Sequence, residues 1–168
     1  GYQLDNLMIQ AEKNKDSVQG KIQARTRFGE MFARFDLKNI FLKPEYTVFT
    51  ELHHVDLSEF TENKKIHSDL NVRLKTTGKG INSDSLYTKL NLNAYDSYIM
   101  GRPVTALNLE VNYKGGNYNL RDFYVDSDYA RMQAKGRGHF QKTHFVRFEI
   151  SPNNIEPLTR VLDIPQFG

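Results

Sequence analysis

The sequence predicts an all-β protein, a mostly antiparallel sheet accompanied by one or two short helices. Three observations carry this. Apolar residues recur at every second position through most of the 168 residues, the spacing that places them on one face of a strand. Glycine, proline and short polar clusters punctuate these segments. About nine to eleven strands stand against two helical stretches, far above the ordinary share of strand.

Residues 2–10 read as the first strand (Tyr2, Leu4, Leu7, Ile9), and Glu12 to Asp16 form a polar turn. In the partner strand from Ser17 to Phe28, Val18, Gly20, Ile22, Ala24, Thr26 and Phe28 share a face. Gly29 interrupts the pattern, and Met31, Ala33, Phe35 and Leu37 resume it. Pro44 removes a ladder donor and closes that strand, after which Val48, Thr50 and Leu52 alternate again. Asp56 to Phe60 suits one helical turn, with Asp56 as N-cap and Glu59 three residues on.

The longest alternation begins at Ile66, where Ile66, Ser68, Leu70, Val72, Leu74, Thr76 and Gly78 oppose His67, Asp69, Asn71, Arg73 and Lys75. Leu86, Thr88, Leu90, Leu92 and Ala94 repeat it, and Gly101-Arg102-Pro103 makes a turn. The clearest segment follows: Thr105, Leu107, Leu109, Val111 and Tyr113 on one side, Ala106, Asn108, Glu110 and Asn112 on the other. Lys114-Gly115-Gly116-Asn117 closes a hairpin onto Tyr118 to Val125. Ala130 to Phe140 and Val146, Phe148 and Ile150 supply two more strands. Asn153 to Phe167 reads as a helix, with Leu158, Val161 and Leu162 at helical spacing and Pro165 as its stop.

A chain of this length suits one domain, 1–168. It opens inside a strand-like pattern with no initiator Met, which reads as a piece of a longer repeat array. Apolar runs of three or four residues give no membrane-spanning helix. With no cysteine, disulfides, zinc-thiolate sites and thiol nucleophiles are excluded. A net charge of +3, from 23 basic and 20 acidic residues, is too mild and too interleaved for a nucleic-acid binder.

No Ser/His/Asp set and no carboxylate pair stands out, so no enzyme and no cofactor is expected. His53 and His54 point to opposite faces of a strand and lack acidic partners at ligand spacing. Asp126-Ser127-Asp128 lacks the glycine and distal glutamate of a calcium loop. Gly78-Lys79-Gly80 and Gly136-Arg137-Gly138 lack phosphate-loop spacing. Lys135, Arg137, His139, Lys142, His144 and Arg147 make the best case for an anionic partner, against the plainer reading of one hairpin's solvated face.

An offset of 116 residues aligns Tyr2, Leu4, Leu7, Ile9 and Gly20 with Tyr118, Leu120, Phe123, Val125 and Gly136, which suggests repeat units 1–65 and 66–168. A turn with glycine before an apolar residue (Gly101 to Val104) is followed by a strand. Then come the spacings Leu120, Phe123, Val125, Ser127 and Ala134, Gly136, Gly138. In this order they resemble the repeating modules of AsmA/TamB-like envelope proteins, over most of the chain. The resemblance implies an elongated, curved sheet folded into an open apolar groove, called a β-taco. It also implies a place in the periplasm of diderm bacteria, with an inner-membrane anchor absent from this stretch, and a part in moving phospholipids between membranes. TamB-like members are also implicated in outer-membrane assembly, which adds assembly proteins as partners beside phospholipid acyl chains.

The groove residues so implied are Leu70, Val72, Leu74, Leu86, Leu90, Leu92, Leu107, Leu109, Val111, Phe123, Val125, Met132, Ala134, Phe148 and Ile150. Pattern alone favours a closed sandwich or barrel, which buries such faces in an ordinary core, and it is the resemblance that turns the reading toward an open groove. The alternative function is a structural module that binds proteins by pairing strands at its edges. A cut array exposes unpaired edges, so self-association through them is also expected.

Overall fold

Ten strands follow one another along the chain and lie side by side in that same order. They are β1 (Leu4–Asn14), β2 (Ser17–Thr26), β3 (Gly29–Lys38), β4 (Glu45–Val55), β5 (Ser68–Lys79), β6 (Tyr87–Ile99), β7 (Arg102–Lys114), β8 (Asn117–Ser127), β9 (Ala130–His139) and β10 (His144–Pro152). The computed structural model describes residues 4–26, 29–59, 67–82, 85–140 and 142–153. Every neighbouring pair is antiparallel, and β1 and β10 each have one partner, so the sheet is open. Among the described residues each strand contacts no strand but its neighbours in sequence, and β5 also meets the turn at Leu57–Glu59.

Local turn chemistry explains the order. Gly115 and Gly116 both take positive φ, 51° and 80°, as a two-residue hairpin of the primed type requires. Met100 and Gly101 do the same at 51° and 74° between β6 and β7. A non-glycine residue there costs conformational energy, which the long ladder on either side offsets.

The alternation is not strict, and its breaks are informative. Register shifts fall between Leu4 and Asn6, Leu52 and Val55, Val104 and Ala106, and Leu120 and Phe123, and β6 carries an extra residue opposite Asp69 and Asn71. Each inserts one residue, so apolar residues three apart return to the same face: Leu52 and Val55, Val104 and Leu107, Leu120 and Phe123. This corrects one expectation. Val104 faces Ser97 and Ser127 and is 6% exposed, while Thr105, which strict period two placed beside Leu107, is exposed.

The bulges are stitched by a buried polar pair. Asn71 and Ser97 are 8% and 2% exposed. The Asn71 side chain accepts from the His54 N–H in β4 (3.2 Å) and donates to the Asp96 C=O in β6 (2.8 Å). The Ser97 hydroxyl accepts from the Asn71 N–H (2.9 Å) and donates to the Tyr95 C=O (2.8 Å). His54 and Asp96 hold positive φ, 56° and 41°, so the network supports the two most strained strand residues.

The expected helices are not found among the described residues. Where a helical turn was expected at Asp56, a three-residue 3-10 turn covers Leu57–Glu59, and the stretch proposed as a C-terminal helix lies outside the described residues beyond Asn153. Asp56 does cap that turn, accepting from the N–H groups of Ser58 (2.9 Å) and Ser68 (3.0 Å) and from His67 (3.3 Å). Burial pushes its carboxyl up, but these hydrogen bonds outweigh it and lower the pKa to about 2. The stabilisation is therefore present above the ordinary value of 3.8 and is lost as pH falls toward about 2. Hydrogen exchange is expected to show the Ser58 and Ser68 amides losing protection across that window in the native protein, and an Asp56→Ala variant is expected to lack the protection at neutral pH.

Candidate functional site: a continuous apolar sheet face

Residues paired across a ladder point to the same side, so the register shows which side chains share a face. Starting from Leu109, the pairing runs through Leu92, Leu74, Thr50, Ala33, Ile22 and Ile9 in one direction and through Phe123, Ala134 and Phe148 in the other. That is one residue from every strand. A parallel row two residues away contains Ala11, Gly20, Phe35, Val48, Thr76, Leu90, Val111, Leu120, Gly136 and Val146. A third contains Leu7, Ala24, Met31, Leu52, Val72, Ala94, Leu107, Val125, Met132 and Ile150.

No charged residue interrupts the three rows, and Thr50 and Thr76 are their polar members. At strand spacing the stripe extends about 43 Å across the sheet and about 14 Å along the strands. Fourteen of the fifteen residues proposed from sequence lie on this face: Leu70 in β5 and the others in the three rows. The structure extends the set to β1–β4, which sequence reasoning left out although Val18 to Phe35 carry the same alternation. Leu86 precedes β6 in the preceding turn, where its N–H donates to the Asn82 C=O (2.8 Å) and its C=O accepts from the Gly115 N–H (3.1 Å).

The face is half covered. Ala33, Leu70, Val72, Val125 and Ala134 are buried by their neighbours, but Ile9, Phe148 and Ile150 keep 60%, 67% and 63% of their surface in water. Glycines on it lie under aromatic rings. Phe35 pairs with Gly20, Tyr46 with Gly78 and Tyr118 with Gly138, and a Cβ at any of the three would collide with the ring. Rings laid over glycine in this way keep the stripe continuous where a side chain is missing.

The opposite face is mostly polar and charged, with Phe32, Phe49, Tyr124 and Phe145 set among the charges. Cross-strand pairs join Arg73 to Glu51 (3.1 Å), Lys79 to Glu45 (2.8 Å) and Lys89 to Glu110 (3.2 Å), with Arg121 also 3.5 Å from Glu110. The hydrogen bond from Lys89 is the main reason the Glu110 carboxyl is held below its usual range. Exposed pairs of this kind contribute little stability, but they fix which face is wet. A cavity of about 470 Å³ opens on this wet side, between Gln10, Lys21, Arg34 and Phe49. Two more, of about 230 and 330 Å³, are also lined mainly by the wet face. The expected groove over the apolar face is not among these three.

The histidines are scattered. His54 lies 2.9 Å from Asp69 and His67 3.3 Å from Asp56, while the His53 ring packs edge-on to Tyr95 and His144 stacks on Tyr118. Among the described residues no three metal-ligating side chains converge. The basic cluster splits by face: Lys135, Arg137 and Arg147 share the wet side with Phe145, whereas the register places His144 beside Gly138 on the apolar side.

Fold and face together define an open, single-sheet antiparallel meander with one apolar and one charged surface. Comparison with known proteins gives no further identification: no family model, no curated protein and no solved structure matches the chain.

Proposed function

We infer that the chain is a lipid-binding module whose apolar sheet face shields acyl chains, in the manner of AsmA/TamB-like envelope proteins that move phospholipid between membranes. One observation carries this reading: three rows spanning all ten strands without a charge, on a face that remains half exposed. A monomer leaving such a stripe in water is unusual, and large exposed apolar surfaces mark binding sites. An acyl chain of about sixteen carbons gains about 0.8 kcal/mol for each methylene taken out of water. It needs non-polar walls and no directional chemistry, which the stripe supplies at every point. In this reading the sheet curls over its guest to form the groove, head groups stay at the rim, and no bond is made or broken.

Native mass spectrometry of gently purified protein is expected to show bound phospholipid, with the same lipid recovered by organic extraction. Protein that remains lipid-free after incubation with phospholipid vesicles would overturn the reading.

The second reading, a module that recruits proteins by strand pairing, is favoured by one feature. Among the described residues both edges of the sheet are unpaired, and β1 and β10 present them over 11 and 9 residues. It is distinguished by binding of strand peptides, or self-association, that persists when the apolar face is interrupted by a charge.

A further inference from the structure

Because the strands alternate in direction, the connections from β1 to β2, β3 to β4, β5 to β6, β7 to β8 and β9 to β10 fall at one end of the sheet. The backbone fastens them into a row. Ile40 N–H donates to Asp16 C=O (3.1 Å), Gly80 N–H to Pro44 C=O (2.8 Å), Gly115 N–H to Leu86 C=O (3.1 Å) and Phe140 N–H to Gly116 C=O (3.0 Å). With strands about 4.8 Å apart, the row is about 40 Å long.

Among the described residues the most exposed large apolar side chains outside the strands stand on these turns: Leu42 (90%), Ile81 (75%), Phe41 (72%) and Phe140 (66%). Phe41, Leu42 and Ile81 lie outside the alternation that builds the apolar face, whereas Phe140 continues that of β9 and packs against Tyr113 and Tyr118 at 5.6 and 5.5 Å while staying two-thirds exposed. Between them stand Lys15, Lys43, Lys114 and Lys142, all exposed and, among the described residues, in no ion pair. Lys13 lies 5.4 Å above the Phe41 ring. Asp16 is the one acid among the described residues of these turns. The other end carries Asp56, Asp69 and Asp128, each paired with His or Arg.

A single line of apolar tips interspersed with lysines lacks the breadth of a protein interface. It suits a lipid surface, where a protruding side chain enters the boundary of head groups and acyl chains and a lysine meets phosphate. We propose that this row of turns docks the sheet edge-on to an anionic bilayer, with Phe41, Leu42, Ile81 and Phe140 inserted and the four lysines on the lipid phosphates. The proposal stands apart from the acyl-chain reading because it uses none of the residues of the three rows.

The chain has no tryptophan, so a single one reports without background. Phe41→Trp, Phe140→Trp and, at the opposite end, Tyr98→Trp replace exposed rings. Vesicles of phosphatidylglycerol mixed with phosphatidylcholine are expected to shift the emission of the first two to the blue and to leave Tyr98→Trp unchanged. Changing Lys15, Lys43, Lys114 and Lys142 together to Glu is expected to weaken vesicle binding about tenfold or more. Circular dichroism confirms that each variant keeps its sheet. An equal shift at Tyr98→Trp, or no shift at either tip, would overturn the proposal; so would unchanged binding by the lysine variant. Leu109→Asp is expected to dock normally, so failure of docking and failure of acyl-chain binding are told apart.

Discussion

A Leu109→Asp variant is expected to lose bound phospholipid about tenfold or more, a change of about 1.4 kcal/mol at the least, while keeping its β-sheet. Leu109 lies at the middle of a row, opposite Leu92 on one side and Phe123 on the other, and it is half-buried. In the free protein the new carboxylate reaches water, because the face is open, so the sheet tolerates it. An acyl chain laid over it would strip that water away, and burying an unpaired charge costs several kcal/mol. Asn108→Asp, one residue along on the wet face, supplies the matched control and is expected to change lipid binding little. Bound lipid per chain and the thermal midpoint, measured for both, separate a binding defect from a folding defect.

An Asn71→Ala variant is expected to lose about 1–3 kcal/mol of stability in urea unfolding. The alanine leaves the His54 N–H and the Asp96 C=O without the partners they have in β5, at 3.2 Å and 2.8 Å in the native fold. Both bonds are part-buried, so leaving each group without its partner costs between the about 1–3 kcal/mol of a fully buried group and the smaller amount of one that water can reach. Both belong to bulge residues already held at positive φ, so β4 and β6 are expected to loosen together. Arg73→Ala, two residues on and exposed, removes a surface pair with Glu51 and is expected to cost under about 1 kcal/mol. A midpoint for Asn71→Ala as close to the native one as that of Arg73→Ala would show that the network does not hold the bulges.

The strands and their faces were legible because a half-buried sheet writes its pleat directly into the sequence. Leu90, Leu92, Leu107, Leu109 and Val111 could be placed together from spacing alone, and the register confirms that grouping. The Gly115–Gly116 hairpin was legible for a similar reason, since a primed turn needs two positive φ values. The bulges were not. Period-two reading carries straight through Thr105, and nothing in the residue type shows that β7 gains a residue there. The buried role of Asn71 was hidden likewise, because it depends on groups brought in from strands on both sides. In hindsight the spacings Leu52 to Val55, Ala94 to Ser97 and Leu120 to Phe123 were the available signal, each an apolar or small pair three apart within an otherwise alternating strand. What the apolar face meets was not legible at all. A closed core, a stacked second copy and a lipid-bearing surface impose the same alternation on each strand, and they differ only in what lies about 10 Å above it.

The pleat also provides the most direct measurement. A photoreactive side chain is placed in turn at Leu107, Leu109 and Val111, and at Asn108 and Glu110, and each protein is illuminated after incubation with phospholipid vesicles. Phospholipid adducts from 107, 109 and 111, with none from 108 and 110, are the result that an acyl-chain surface predicts. Adducts that join 107, 109 and 111 to protein, with no lipid attached, would show that this face is closed by polypeptide and would contradict it.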